Sequence, residues 1–325
     1  MARGFGIILS IYGHLGYDLL TSWIYSFHMP LFFFISGFLF NCRGMTFIDF
    51  LKRKIKSLII PYFFLGIPMV FAYILQYRVF SLDGIVDLLF QFILQQRFLT
   101  LWFISCLFVL NIVFFFISKN IESDLVILIV CAFSLLIGDI NYKIYDIVFP
   151  WNIDICFMAI PFFALGYLFK KRNIFSLFLI SKNRNAIYVF VFLFLSLTTW
   201  YLNLSIYEKC LDMYSKEYGL LPITYLSAIF GLLFIVCLSR IVSIKPILYI
   251  GEYSILYFLW HQSIIFPFIG RFLMPISRFI FGNLLSIRLF GISVEKLYVT
   301  LLTCLIVTII NNMIMKTKFK FVLGK

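Results

Sequence analysis

The chain has 325 residues, 63 % apolar and 13 % charged, against roughly 45–50 % and 25 % in soluble globular proteins. A water-soluble fold of this size could not hide that much apolar surface, because its own exterior still has to face water. Soluble enzymes, nucleic-acid binders, secreted disulfide scaffolds and disordered chains are therefore excluded as whole-chain readings. The net charge of +13 lies in short loops between apolar runs, where it orients a membrane protein.

A helix needs about 20 apolar residues to cross ~30 Å of hydrocarbon. Windows of that size predict an all-α bundle of ten spans, at about 4–20, 22–41, 58–77, 99–118, 124–139, 153–169, 185–203, 222–239, 247–268 and 297–315. The first run follows Arg3 as a signal peptide would, but Tyr12, His14, Asp18 and the missing small-residue cleavage site favour a span. The stretch 85–96 is too short to cross, carries Asp87 and Gln91, and reads as an interfacial helix. Alternate loops hold 18 and nine Lys and Arg residues. That bias predicts both termini in the cytoplasm. No internal repeat or soluble domain interrupts the pattern, so residues 1–325 read as one membrane domain. Cys106, Cys131, Cys156, Cys237 and Cys304 lie in or beside apolar runs without a CxxC and read as small core residues.

Ionisable residues at membrane depth are costly and are functional candidates by default. The three histidines of the chain, His14, His28 and His261, all fall inside predicted spans. At 1.5 Å per residue each lies roughly 3–5 Å to the outer side of the midplane. Three imidazoles at one depth predict one polar chamber. The structural alternative is that each satisfies a neighbouring backbone group. Arg3 and His14 are eleven residues apart, which puts them on one helix face ~16 Å apart along the axis. Such a pair suits a long ligand with its anionic end at the mouth and its reactive end at the imidazole.

Asp18, at i+4 from His14, either orients that imidazole or simply ends the helix in polar surroundings. Pro30 is expected to bend the second span, and Ser36-Gly37 to allow close helix approach. The densest basic run, Lys52, Arg53, Lys54 and Lys56, leads to Pro61-Tyr62. It is either a phosphate site or an anchor on anionic lipid. Glu252 falls in the inner half of the ninth span. Trp102 stands near the outer end of the fourth, as a chamber residue or an interface anchor.

Together these stretches resemble a known family. RGFGIILSIYGH (Arg3 to His14), FHMPLFFFISGFLF (Phe27 to Phe40), the basic run before Pro61-Tyr62, LWFISCLF (Leu101 to Phe108), IPFFALGYLFKK (Ile160 to Lys171) and IGEYSILYFLWHQ (Ile250 to Gln262) are similar, in order, to the acyltransferase 3 family. The nearest subgroup is the fucose 4-O-acetylase-like bacterial membrane acetyltransferases. The resemblance implies about ten spans in a bacterial cytoplasmic membrane. It also implies an acyl group, usually acetyl, taken from cytoplasmic acyl-CoA to a hydroxyl of an envelope glycan or its lipid-linked precursor. Arg3 and His14 match the family's essential pair. The family's basic stretch usually has two arginines three apart. Here Arg53 fits, Lys56 takes the second place, and Ser57 stands where many relatives have a basic residue.

The expected mechanism places the CoA phosphates at Arg3 and at Arg53, Lys54 and Lys56. His14 serves as general base or transient acyl carrier, and His28 or His261 donates to the oxyanion. Asp18, Glu252 and Trp102 complete the chamber. A thioester is a reactive donor, so neither a metal nor a resident cofactor is expected. The rival class is a polysaccharide exporter or flippase, but Pro30 has no matching broken helix in a second half.

Overall fold

The computed structural model describes residues 1–178, 182–207, 211–289 and 292–324. In chain order the helices are α1 Ala2–Gly13, α2 Leu19–Tyr25, α3 His28–Phe38, α4 Phe47–Lys54, α5 Ile60–Tyr77, α6 Leu82–Ile93, α7 Trp102–Asn120, α8 Asp124–Ile140, α9 Ile153–Lys171, α10 Ile174–Phe178, α11 Lys182–Tyr207, α12 Leu221–Ile241, α13 Lys245–Glu252, α14 Ser254–Trp260, α15 Phe266–Phe268, α16 Met274–Phe281 and α17 Val294–Met315. A short antiparallel hairpin, β1 Arg288–Leu289 with β2 Ile292–Ser293, precedes α17. Among the described residues nine helices, several of them runs of adjoining segments, are long and apolar enough to cross a membrane. The protein is therefore a helical multi-pass membrane protein. Lys209 and Lys325, counted in the charge alternation, lie outside the described residues.

The nine correspond to the second to tenth predicted spans; the first, predicted at about 4–20, is observed as a shorter helix. Helix α1 has 12 residues, about 18 Å at 1.5 Å per residue, well short of the hydrocarbon thickness. It stops because Gly16 takes φ +109°, a conformation that suits glycine. Asp18 then starts a new helix, its carboxylate accepting from the Thr21 amide at 2.7 Å, a regular N-cap.

The second span also breaks where the sequence did not indicate. The interruption is at Ser26–Phe27, between α2 and α3. Pro30 falls in the first turn of α3, where the helix has no carbonyl for a proline N–H to reach, so the ring is tolerated there without a kink. The predicted span 247–268 is likewise two pieces. Helix α13 ends at Glu252, and a near-continuous helix runs from Ser254 to Phe281 with π turns at His261–Ile265 and Ile269–Leu273. Another π turn, Ile55–Ile59, joins α4 to α5. Such π segments are frequent at functional sites.

Apolar side chains gain little from leaving lipid for protein, so close packing rather than the hydrophobic effect joins these helices. Helices α3 and α9 touch backbone to backbone. A Cβ on Gly37 would lie 1.9 Å from the Phe163 carbonyl oxygen, and one on Gly166 would lie 2.0 Å from that of Phe34. Helix α1 meets α13 the same way: a Cβ on Gly4 would lie 2.0 Å from the Ile247 oxygen. These contacts fix Arg3, on the first turn of α1, against the end of α13.

At the opposite end of α1 the bundle is closed by the loop 211–220. Its Asp212 and Glu217 exchange two backbone hydrogen bonds of 2.8 Å. Its buried Lys216 donates to Asp146 Oδ1 at 2.6 Å and to the Ile147 carbonyl at 3.3 Å, and lies 3.8 Å from Asp154. Asp154, nearly inaccessible, is in turn paired with Arg97. Replacing one member of such a buried group strands the other charges, typically at about 3–5 kcal/mol. Asp154→Asn is thus expected to lower the thermal unfolding temperature by several degrees. An unchanged melting curve would mean that the cluster does not hold the loop.

Candidate functional site

The three histidines come together. The His14 ring lies 6.1 Å from that of His28 and 4.9 Å from that of His261, centre to centre, both edge-on. Each arrives differently: His14 caps the end of α1, His28 opens α3, and His261 follows α14 at the start of a π turn. All three share one hydrogen-bond habit. Nδ1 of His14 meets the Ser10 carbonyl at 2.7 Å, that of His28 the Ile24 carbonyl at 3.2 Å, and that of His261 the Tyr257 carbonyl at 2.9 Å.

A carbonyl only accepts, so Nδ1 must carry the proton, and each neutral ring presents Nε2 as an acceptor. The expected oxyanion role of His28 and His261 therefore requires the doubly protonated ring, since a neutral one has no proton at Nε2 to donate. Nε2 of His261 is buried with no protein partner, an arrangement that costs about 1–3 kcal/mol unless a donor reaches it.

A cavity of about 230 Å³ adjoins the histidines, lined by His14, His28, Tyr25, Trp102, Asp212 and Gln262 among others. Trp102 is a chamber residue, 5 % exposed; the indole N–H is a donor only. The loop 211–220 supplies Asp212, which periodicity alone could not bring here from the far side of α11. The adjacent His261-Gln262 pair, by contrast, was legible as a polar step in an apolar run.

Two expected chamber residues lie elsewhere. Asp18 does not touch His14. It accepts from Lys296 Nζ at 2.6 Å and from the Tyr12 hydroxyl at 3.2 Å, because α1 ends before it. Burial alone would raise the Asp18 carboxyl, but the hydrogen bonds from Lys296 and Thr21 outweigh it and leave the group below its ordinary value. A depressed carboxyl stabilises the fold above its unfolded value, about 3.9, and the contribution is lost as pH falls through the folded value. Asp18→Asn is therefore expected to lower stability at pH 7 and to lessen the extra loss below about pH 4. A wild-type stability that falls already between pH 7 and 5 would point to another group.

Glu252 is the second. The chain breaks at Tyr253, and nine residues, about 13 Å of helix, separate it from His261. It lines, with Arg3, Ser57, Ser36, Phe103 and Phe258, a cavity of about 330 Å³ at the Arg3 end. Arg3 and Glu252 also border a neighbouring cavity of about 550 Å³. The Arg3 Nη1 lies 3.5 Å from the Gly251 carbonyl.

The basic run is close by but does not line this cavity; Ser57 does. Arg53 bonds the Asn41 carbonyl, Arg53 and Lys54 both lie over the Phe50 ring at 5.4 and 5.3 Å, and Lys56 is exposed. Arg43, Lys119, Lys170 and Lys171 surround a further cavity of about 570 Å³ just beyond α3. This end of the molecule is thus strongly cationic.

The Phe258 ring borders both the Arg3 cavity and the histidine cavity. It packs at 5.0 Å on Phe103, 5.9 Å on Phe32 and 6.4 Å from His261. One aromatic partition therefore separates a cationic mouth from three acceptor nitrogens. No group of three His, Cys, Asp or Glu side chains among the described residues is placed to hold a metal ion. In comparisons with known proteins, the family described as an acyltransferase domain matches residues 1–311. Neither the curated proteins nor the solved structures give a match.

Proposed function

The chain belongs to the acyltransferase 3 family, and from that membership we propose that it takes an acyl group from cytoplasmic acyl-CoA and passes it to a hydroxyl of a cell-envelope glycan or its lipid-linked precursor. The observation that carries this reading is the pair of cavities meeting at Phe258, one bordered by Arg3 and the other by His14. The donor phosphates bind at the cationic end, at Arg3, with Arg53, Lys54 and Lys56 on the adjoining segment. The thioester arm passes the Phe258 partition.

His14 Nε2 then takes the proton of the acceptor hydroxyl as that oxygen attacks the thioester carbonyl. The Trp102 N–H donates to the oxyanion. The carbon–sulfur bond breaks, and His14 returns its proton to the leaving thiolate. On this reading the Arg3 end faces the cytoplasm of a bacterial cell with both termini, in keeping with the bias of the loop charges.

Purified protein given labelled acetyl-CoA is expected to consume it. Arg3→Ala is expected to raise the Michaelis constant for acetyl-CoA at least tenfold, the order of one charged hydrogen bond, with kcat largely kept. No consumption by the wild type would favour an exporter, and an unchanged Michaelis constant in the variant would remove Arg3 from the donor site.

A further inference from the structure

A second cavity reaches His14 from the end of α1 opposite to Arg3. It measures about 300 Å³ and is bordered by His14, Tyr17, Tyr25, Asp212, Glu217 and Gln262. His14, Tyr25, Asp212 and Gln262 border the histidine cavity as well, so the two are neighbouring parts of one cleft. Tyr17 is 69 % exposed, and Gln262 is exposed beside the buried His261.

Asp212 is held still in this cleft. Its Oδ1 accepts from the Tyr214 and Ser215 amides at 2.9 and 3.3 Å, and its Oδ2 from the Ser215 hydroxyl at 2.9 Å. A carboxylate has about four acceptor positions, so Oδ2 keeps one. The loop is pinned by the Asp212–Glu217 backbone pair and by Lys216 on Asp146. The carboxylate is therefore set in place before any ligand arrives.

Resting on the acyl-transfer reading, with the acceptor at the end opposite to the donor, we propose that Asp212 takes a hydrogen bond from the acceptor in this cleft and so sets the charge class of acceptor that it admits. A fixed negative charge beside the reacting oxygen selects acceptors that are uncharged or cationic near that hydroxyl. It disfavours those with a phosphate or carboxylate there. Gln262, with both donors and an acceptor, is suited to a neighbouring hydroxyl. Donor and acceptor then meet at His14 from opposite sides, and neither has to leave for the other to bind.

Variants of the full chain with one introduced cysteine, in sealed vesicles, test this, in a background with Cys42→Ser, Cys210→Ser and Cys304→Ser. Ser57→Cys reports the donor cavity and Gln262→Cys the cleft; Tyr17→Cys is the second reporter if Gln262→Cys fails to fold. Membrane-impermeant methanethiosulfonates should label the two cavities from opposite faces. Labelling of both from one face, or none in the cleft, would overturn the proposal.

At Gln262→Cys the cationic trimethylammonium reagent should outpace the anionic sulfonate reagent, and Asp212→Asn should reduce that rate ratio by roughly fivefold. An unaltered ratio would remove Asp212 as the charge of the cleft. Acetyl-CoA consumption by the unsubstituted protein in vesicles is read separately. Its absence, with labelling as expected, sinks the acyl-transfer reading; its presence, with labelling on one face only, sinks the cleft alone.

Discussion

His14→Ala is expected to lower kcat for acyl transfer by about 10²–10⁴, the range over which a positioned general base contributes, while the Michaelis constant for acyl-CoA stays within about twofold. The separation follows from distance. The donor phosphates bind at Arg3, about 16 Å of helix away, so loss of the imidazole leaves the mouth untouched. The ring adjoins the cavity and gives its Nδ1 proton to Ser10, which leaves Nε2 as the basic atom. His261 is the neighbour that could partly substitute, with its ring 4.9 Å away and its Nε2 lacking a protein partner. The double variant with His261→Ala is accordingly expected to fall below the single one. Activity of His14→Ala within tenfold of wild type would remove the base assignment.

Trp102→Phe is the second large effect. The ring packs among Phe33, Phe103 and Tyr214 at 6.1–6.5 Å, and phenylalanine retains much of that contact while losing the N–H. Removing one oxyanion donor typically costs about 10²–10³ in kcat. That loss is expected here with a small change in the Michaelis constant and in thermal unfolding, because the bond strengthens only as charge develops on the carbonyl oxygen. A fall of less than threefold would move the oxyanion role to another donor of the cavity, such as the Gln262 amide.

The convergence of His14, His28 and His261 was legible because helix rise is fixed, so a count from each span end becomes a depth. The nine long helices were legible for the same reason, apolar length being set by the bilayer. The short first helix was only half legible. Gly16 followed by Asp18 and Thr21 carries a stop and a cap, yet the apolar residues on either side outweighed them. Glu252 was misplaced because the break at Tyr253 has no proline or glycine of its own; it follows Gly251, whose backbone packs on Gly4.

Two features could not be read at all. Asp212 reaches the chamber because a loop folds back between distant helices, held by Lys216 on Asp146. The sharing of Nδ1 with a carbonyl four residues earlier, which decides which histidine nitrogen can act, depends on side-chain geometry and not on residue type.

The central claim is that a thioester enters from the Arg3 end and presents its carbonyl to His14. A cryo-EM structure of the protein with a non-hydrolysable acetyl-CoA analogue tests it most directly. The account expects the phosphates beside Arg3, the pantetheine arm past a displaced Phe258 ring, and the acyl carbonyl carbon within about 4 Å of His14 Nε2, the reach of a near-attack contact. An analogue bound in the cleft of Tyr17 and Gln262, or one whose acyl group stops short of Phe258, would contradict it.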